Sequence, residues 1–308
     1  MTFLTEKKID FFSPSPDVSL RYCHWTRKNH PTKATVLIIP GRTEYIEKYH
    51  EVAFDLMSRD YDSVILEMRN HGLSTRPLRN TQKHYVDSFD DMVRDVDRFI
   101  DSDVIKARKR PLLLLAHSMG GHVALRYLAE KKQPPIKAAI FSAPMVGINW
   151  GKLPHWLISA FTVLGGMAPF KYMYAPSQGD YGPSNRSERT QRLLTHDRHR
   201  FEDEWKHIDK NPNLALGGIT LGWLRAAVQS IQKLKSAGYV ERIHTPLFIA
   251  QGQLDRVVDN AAMADLAARI STARFSVIEG AAHEILCETN DIRLNFWHQV
   301  DDFLKQSL

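Results

Sequence analysis

Residues 112–121 of the chain read Leu-Leu-Leu-Leu-Ala-His-Ser-Met-Gly-Gly. Four consecutive leucines form a short, wholly apolar run, which is typical of a strand buried on both faces of a parallel sheet. Directly behind Ser118 the apolar residues recur at helical spacing, at Met119, Val123, Tyr127 and Leu128. The stretch therefore predicts a buried strand, a sharp turn that carries Ser118, and a helix.

Small residues surround Ser118, with Ala116 two positions before it and Gly120 two positions after it. This is the spacing of a nucleophile elbow, G-x-S-x-G, where a crowded strand-to-helix turn admits only small neighbours. Ala116 replaces the first glycine of the strict motif and adds one methyl group. An elbow exposes the hydroxyl at a helix N-terminus, where backbone N–H groups favour negative charge. The alternative is an ordinary turn at which Ser118 caps the helix.

Strand-like and helix-like segments alternate through residues 1–144 and again through residues 240–308. Repeated β–α units indicate an α/β protein with a mostly parallel, doubly wound sheet, so we assign both segments to one core. The predicted strands are Val18–Trp25, Ala34–Ile39, Ser63–Glu67, Leu112–Leu115, Ile136–Phe141, Pro246–Ala250 and Ala273–Ile278. The predicted core helices are Tyr45–Ser58, Ser88–Ile105, the helix after Ser118, Asn260–Ile270 and Asp291–Leu304.

Residues 145–239 break this alternation and are predicted to form an insertion. The segment is rich in glycine, proline and aromatic residues, and it becomes helical in pattern over Arg186–Ile208 and Ile219–Lys235. It holds twelve Lys/Arg and seven Asp/Glu, so almost all of the chain's net charge of +6 lies here. We expect it to cover the carboxyl edge of the sheet, where open α/β sheets bind ligands. Its basic surface fits an anionic lipid or an acidic substrate, or is simply solvated.

A serine hydroxyl becomes a good nucleophile when a base removes its proton and a carboxylate orients that base. In one known arrangement of such a triad, the serine comes first in the chain, then the acid, then the histidine. The acid and the histidine each follow a late strand of the sheet. Asp255 lies five residues beyond Ala250, and His283 lies five residues beyond Ile278. We therefore predict a catalytic triad of Ser118, Asp255 and His283.

Two other residues compete for these roles. Asp259 directly precedes the predicted helix Asn260–Ile270 and is better explained as its N-cap. His298 lies inside the last predicted helix, which favours a packing or surface role.

An oxyanion hole requires two backbone N–H donors, one after the nucleophile and one after an earlier strand. Met119 supplies the first candidate, and Arg42, which follows Pro40 and Gly41, supplies the second. Gly41 and His117 adjoin these donors and are candidate substrate-binding residues. The alternative is that Pro40-Gly41 merely ends a strand.

Composition and motifs exclude several other classes of protein. No apolar run is long enough to span a membrane, and the N-terminus does not have the pattern of a signal peptide. The two cysteines, Cys23 and Cys287, form no disulfide framework, which favours a cytoplasmic location. No phosphate-binding glycine motif or complete metal-ligand set is present, so we expect no nucleotide and no metal ion. The single basic run lacks interleaved aromatic residues, which argues against nucleic acid as a partner.

The chain resembles the α/β-hydrolase superfamily, in particular its bacterial lysophospholipase and monoacylglycerol lipase-like branch. The resemblance spans nearly the whole length and rests on five core segments and two segments of the insertion: Pro40–Arg42, Arg69–Ser74, Ala116–Gly120, the Asp255 and His283 loops, Arg192–Asp197 and Pro212–Gly218. It implies a sheet of about eight strands, an inserted and mainly helical cap that shapes an acyl pocket, and no cofactor. It also implies a monomer or weak oligomer.

We therefore predict a serine hydrolase that cleaves lysophospholipids or monoacylglycerols through an acyl-enzyme on Ser118. The same triad serves aminopeptidases and thioesterases, and a non-catalytic ligand-binding protein of this fold is the alternative from another class. Reversible contact with the anionic cytoplasmic face of the inner membrane is a further expectation.

Overall fold

One eight-stranded sheet forms the centre of the computed structural model, which describes residues 5–28, 30–151 and 154–308. The strands are β1 (Thr5–Ser15), β2 (Val18–Arg27), β3 (Ala34–Ile39), β4 (Tyr61–Leu66), β5 (Leu112–His117), β6 (Ile136–Ser142), β7 (Leu247–Gly252) and β8 (Ala273–Ile278). They lie in the order β1-β2-β4-β3-β5-β6-β7-β8. The β1–β2 and β2–β4 pairs are antiparallel, and the other five pairs are parallel. This confirms the predicted sheet.

Helices cover both faces of the sheet, because the residues of a central strand point alternately to either side. In β3, Val36 and Ile38 belong to one apolar cluster, and Leu37 and Ile39 belong to the other. The core helices are α1 (His50–Met57), α2 (Phe89–Ile100), α3 (Asp103–Lys106), α4 (Ser118–Glu130), α9 (Asn260–Ala268) and α10 (Asn290–Ser307). The helices α1 and α10 pack on the first face, and α2, α4 and α9 pack on the second.

The strand β1 is one that the sequence pattern did not predict. Lys7, Lys8 and Asp10 interrupt its apolar residues, and most of the strand is exposed. It pairs with β2 at the edge of the sheet, where one face of a strand can stay in water. Periodicity is therefore a weak signal for such a strand.

The segment between β6 and β7 is mainly helical, as predicted. It contains α5 (His155–Leu164), α6 (Glu188–Leu194), α7 (Arg198–Lys210) and α8 (Leu221–Lys235). Among the residues 5–28, 30–151 and 154–308, no helix is both long enough and apolar enough to cross a membrane.

Three helices predicted as continuous are shorter or divided in the structure. The segment Tyr45–Ser58 begins with a 3₁₀ turn before α1, Ser88–Ile105 is split into α2 and α3, and Arg186–Ile208 is split into α6 and α7. The last break follows from local hydrogen bonds. Thr195 is extended, with a φ of −156°, and the Asp197 side chain accepts from the N–H of Arg200 and so caps α7.

Candidate active site

Ser118 lies between β5 and α4 in a constrained turn. Its φ is +49°, a left-handed conformation that costs a non-glycine residue about 1–3 kcal/mol. A Cβ on Gly120 would lie 2.3 Å from the carbonyl oxygens of both Ile39 and Pro40, so only glycine fits there. The structure thus confirms the strand, sharp turn and helix predicted from residues 112–121.

His283 forms hydrogen bonds with both Ser118 and Asp255. Its Nε2 lies 2.9 Å from Ser118 Oγ, and its Nδ1 lies 2.7 Å from Asp255 Oδ2. All three side chains are buried. The loops after β5, β7 and β8 meet at the carboxyl edge of the sheet, which brings these residues together although Ser118 and His283 are 165 positions apart.

Asp255 and His283 stabilise each other's charged forms. Burial alone would raise the pKa of Asp255, but attraction to His283 and hydrogen bonds from the N–H groups of Val257 and Val258 hold it below its usual range. Burial alone would lower the pKa of His283, but Asp255 raises it. Because Asp255 is anionic, it accepts the Nδ1–H of the imidazole, which leaves the Nε2 lone pair facing the hydroxyl of Ser118.

The two competing residues have other roles. The Asp259 side chain accepts a hydrogen bond of 3.0 Å from the N–H of Ala262 and caps α9, as predicted. The imidazole of His298 is 78% exposed on α10, as expected for a surface residue.

The loop after β3 passes directly against the nucleophile. A Cβ on Gly41 would lie 2.8 Å from the His117 ring and 3.2 Å from Ser118 Cβ. Met119 is the second residue of α4, so its N–H is among the helix-terminal donors that have no acceptor within the helix. The Gly41–Arg42 peptide and Met119 therefore both lie beside Ser118.

His117 packs against the imidazole of His283. Their ring centroids are 4.9 Å apart, and His117 Nδ1 lies 2.9 Å from the carbonyl oxygen of Ser142. Burial lowers the pKa of His117, so its ring is neutral and does not repel a protonated His283. It also lines the pocket above Ser118.

A cluster of buried charges beside the triad was not predicted. Lys48 Nζ lies 2.8 Å from Glu284, 3.2 Å from Glu44 and 3.3 Å from Glu204. We call these four residues the Lys48 cluster. Glu284 directly follows His283, which was a possible signal, but Glu204 and Lys48 are 156 positions apart and share no sequence pattern.

The Lys48 cluster connects three parts of the site. Glu44 accepts hydrogen bonds from the Gly41 N–H and from the hydroxyl of Tyr49. Burial alone would raise the pKa of Glu44, but Lys48 and these donors hold it below its usual range. Glu204 belongs to α7 of the insertion, and Glu284 to the His283 loop. Lys48 therefore joins the loop beside the nucleophile, the insertion and the loop of the base.

A pocket opens above Ser118 and His283, between the sheet edge and the insertion. Its charged lining residues are Arg42, Glu44, Glu204 and Glu284. Its aromatic and aliphatic wall is formed by Tyr181, Leu194, Phe201, Trp205, Ile208, Leu216 and Val257. Almost all of this wall comes from the insertion.

His196 and His199 are three positions apart, a spacing that could place both on one helical face, but His196 has a partner other than a metal ion. His196 Nδ1 lies 2.9 Å from Glu288 Oε1, which holds that ring beside the His283 loop. Across the part of the chain that the structure describes, no three His, Cys, Asp or Glu side chains are grouped as ligands for a metal ion.

Comparison with known proteins identifies the family of the chain. Residues 30–290 match the family model described as serine aminopeptidase, S33. Lysophospholipase L2 of Escherichia coli K12 is 30% identical over 305 residues, which cover 96% of this chain and 86% of that protein. A probable lysophospholipase L2 of Haemophilus influenzae is 28% identical and covers 99% of this chain and 94% of that protein.

Solved structures of similar fold include a soluble variant of monoglyceride lipase from Saccharomyces cerevisiae, in complex with a substrate analog. It superposes with a TM-score of 0.76 at 19% identity, covering 98% of this chain and 97% of that chain. At this identity the superposition supports the fold alone. The match of the family model and the 30% identity to lysophospholipase L2 are stronger evidence, because they show the family as well as the fold. The chain therefore belongs to the serine aminopeptidase S33 family, in the lysophospholipase and monoglyceride lipase-like branch of the α/β-hydrolases.

Proposed function

We propose that this protein hydrolyses carboxylic esters of lipids, with a lysophospholipid or a monoacylglycerol as substrate. The hydrogen-bonded series Ser118–His283–Asp255 at the base of a pocket with an apolar wall carries the proposal. The names of the relatives, lysophospholipase L2 and monoglyceride lipase, support the same class of reaction.

The reaction proceeds in two steps. Ser118 Oγ attacks the acyl carbonyl carbon while His283 Nε2 takes the hydroxyl proton, and Asp255 stabilises the resulting imidazolium. His283 then returns this proton to the leaving alcohol oxygen, which leaves the acyl group esterified to Ser118. A water molecule, deprotonated by His283, attacks this ester and releases the fatty acid with Ser118 restored.

The N–H groups of Met119 and Arg42 receive the negative charge that develops on the carbonyl oxygen. Support comes from the close approach of the Gly41–Arg42 loop to Ser118 and from the start of α4 at Ser118. Loss of one such donor typically lowers kcat by about 10²–10³-fold. Gly41 and His117 border the same position and contact the bound ester.

Residues 145–239 act as a cap over a core formed by residues 1–144 and 240–308. The apolar wall of the pocket supports this division, because Phe201, Trp205, Ile208 and Leu216 all belong to the insertion. An acyl chain bound along this wall removes apolar surface from water, which stabilises the complex by roughly 25 cal/mol per Å².

The outer side of the cap contacts a membrane surface. We define the cap patch as five exposed apolar residues: Trp156, Val163, Met167, Phe170 and Met173. A group of exposed apolar side chains close together in the chain is a candidate interaction site, and aromatic residues favour the lipid interface. The net charge of +5 over residues 145–239 attracts anionic lipid. The two free cysteines favour the cytoplasmic side of that membrane.

A substrate panel tests the function. Wild type and Ser118→Ala are compared on lysophosphatidylethanolamine, monoacylglycerol, an acyl thioester and an aminoacyl anilide. We expect lipid ester turnover in wild type and a loss of at least about 10⁴-fold in the variant. Labelling with a fluorophosphonate should modify wild type and leave Ser118→Ala unmodified.

The same experiment separates the alternatives. Preference for the anilide would identify an aminopeptidase, preference for the thioester would identify a thioesterase, and either would overturn the lipid assignment. An unlabelled wild type without turnover would identify a non-catalytic binding protein.

A further inference from the structure

The guanidinium of Arg42 has no carboxylate partner among the residues that the structure describes. Arg42 lines the same pocket as Ser118 and His283. Its Nη1 donates a hydrogen bond of 3.1 Å to the carbonyl oxygen of Gly217. Within the described ranges, this is the single hydrogen bond of the guanidinium, and no acidic side chain forms an ion pair with it.

Arg42 is half-buried, and the arginines that are more deeply buried are neutralised. Arg21 pairs with Glu47 and Glu67, Arg126 pairs with Asp90 and Glu130, and Arg293 pairs with Glu51 and Asp55. Burial lowers the pKa of Arg42 to about 10, with no carboxylate to oppose it. The guanidinium is still a cation at neutral pH, and its charge is uncompensated.

The groups behind Arg42 do not compensate its charge either. His71 and His84 lie within electrostatic range of Arg42, with ring centroids 4.8 Å apart. Burial lowers the pKa of His71 to about 4 and that of His84 well below its usual value, so both rings are neutral. Nearby Arg76 is satisfied by backbone carbonyl oxygens, including those of Asn213 and Ala215. Apart from the bond to Gly217, the N–H groups of the Arg42 guanidinium therefore have no acceptor among the described residues.

We propose that the Arg42 guanidinium binds the phosphate of a lysophospholipid while Ser118 attacks its acyl ester. This rests on the proposed function and narrows its substrate to a phosphate-bearing lipid. The planar fork of N–H donors matches two phosphate oxygens, and such charge-assisted hydrogen bonds are strong where water is excluded. The other charged groups of the pocket lining are carboxylates, which repel a phosphate and direct it to Arg42.

The position of Arg42 in the chain also fits this role. Its backbone N–H lies in the loop that passes against Ser118, and its side chain extends from that same loop. One residue thus contacts the substrate on both sides of the scissile ester. A monoacylglycerol lacks the phosphate and would leave this half-buried cation unpaired, which is unfavourable.

Substrate selectivity tests the proposal. The values of kcat/KM for lysophosphatidylethanolamine and for the monoacylglycerol of the same acyl chain are measured in neutral detergent, and their ratio is compared among variants. We expect Arg42→Gln to lower this ratio about 10- to 100-fold, mainly through the KM of the lysophospholipid. Arg42→Lys should restore part of the ratio. The substitution could also displace the backbone N–H of residue 42. Such a displacement would slow both substrates equally, so it cancels in the ratio.

Arg76→Gln is the matched control. The Arg76 guanidinium donates hydrogen bonds to the carbonyl oxygens of Asn213 and Ala215, in the same segment as Gly217. Arg76 does not line the pocket. Its substitution should leave the ratio unchanged. An equal loss for both substrates in Arg42→Gln would show that Arg42 only tethers Gly217, and would overturn the proposal.

Binding of small phosphates separates this inference from the proposed function, because it requires no turnover. In calorimetry, sn-glycerol 3-phosphate should bind wild type and should bind Arg42→Gln at least tenfold more weakly. Equal affinity for both proteins would overturn the inference. Inorganic phosphate that binds as tightly as glycerol phosphate would point to a site for the free anion and would also overturn it. If glycerol phosphate binds through Arg42 but the protein hydrolyses no lipid, the proposed function is wrong while this inference stands.

Discussion

The core and the insertion differ in how firmly they hold their side chains. In α4, twelve of thirteen residues are buried, so Ser118 lies on a helix that is packed on every side. In α5, Ile158 is buried, whereas Trp156 is 69% exposed and Val163 is 61% exposed. A helix enclosed on all sides fixes one geometry, while a helix packed along one stripe leaves a face free. The contrast fits the proposed division of roles, with the chemistry in the core and the contacts with substrate and membrane in the insertion.

Ion pairs show the same contrast. The insertion carries exposed pairs within single helices, such as Arg192 with Glu188, which typically contribute about 0–1 kcal/mol. The Lys48 cluster is largely buried and joins α7 of the insertion to the loops that carry Gly41 and His283. The Lys48 cluster is therefore one junction between the two regions, and the pair of Arg200 with Glu51 is another.

The largest expected effect lies in the core. Replacement of Asp255 by Asn removes the charge that holds the His283 tautomer, so kcat should fall by about 10³–10⁴-fold. Steady-state kinetics on a lipid ester measure it, with thermal unfolding to establish that the variant folds. A loss below tenfold would contradict the assignment of Asp255 to the catalytic triad. It would also contradict the proposal that the core carries the chemistry.

The second effect tests the junction between the two regions. Lys48→Met leaves Glu44, Glu204 and Glu284 buried without their cation, so the free energy of unfolding should fall by about 3–5 kcal/mol. Denaturant titration measures it. Arg192→Met, which removes an exposed pair in the insertion, is the control and should change stability by less than about 1 kcal/mol. Equal effects of the two variants would mean that the Lys48 cluster does not couple core and insertion.

The third effect is the pH dependence of catalysis. His283 must be neutral to act as the base, and Asp255 raises its pKa above the usual value. The value of kcat/KM should therefore fall as the pH drops through a midpoint above about 6.5, approaching tenfold per pH unit. Arg192→Met should keep this midpoint, because its exposed pair is in the insertion. A wild-type midpoint below 6 would contradict the geometry of the His283–Asp255 pair.

The smallest expected effect belongs to the outer face of the cap. Removing two apolar groups of the cap patch in Trp156→Ser/Phe170→Ser should weaken binding to anionic vesicles about three- to tenfold. Sedimentation with vesicles measures the bound fraction, and hydrolysis of a short water-soluble ester in the same samples should stay within about twofold. Unchanged vesicle binding would remove the cap patch from the proposed membrane contact.

Local patterns predicted the elements around the triad because each of its residues lies in a loop just after a strand. Carboxyl ends of parallel strands meet at one edge, so three separate loops indicated one cluster. The strand Thr5–Ser15 was missed because edge strands bury little and their periodicity is weak. The break at Thr195 was missed because a continuous helical pattern does not show which residue will cap a new helix.

The amino-acid sequence by itself determined the strand-turn-helix at Ser118, the mostly parallel sheet and the presence of an insertion. These depend on hydrophobic period and on steric limits between residues close in the chain. Only the tertiary structure decided that Lys48 meets three carboxylates and that Arg42 meets none among the described residues. The energy of a charge depends on burial and on its distance from groups remote in sequence, and neither quantity exists before the chain folds.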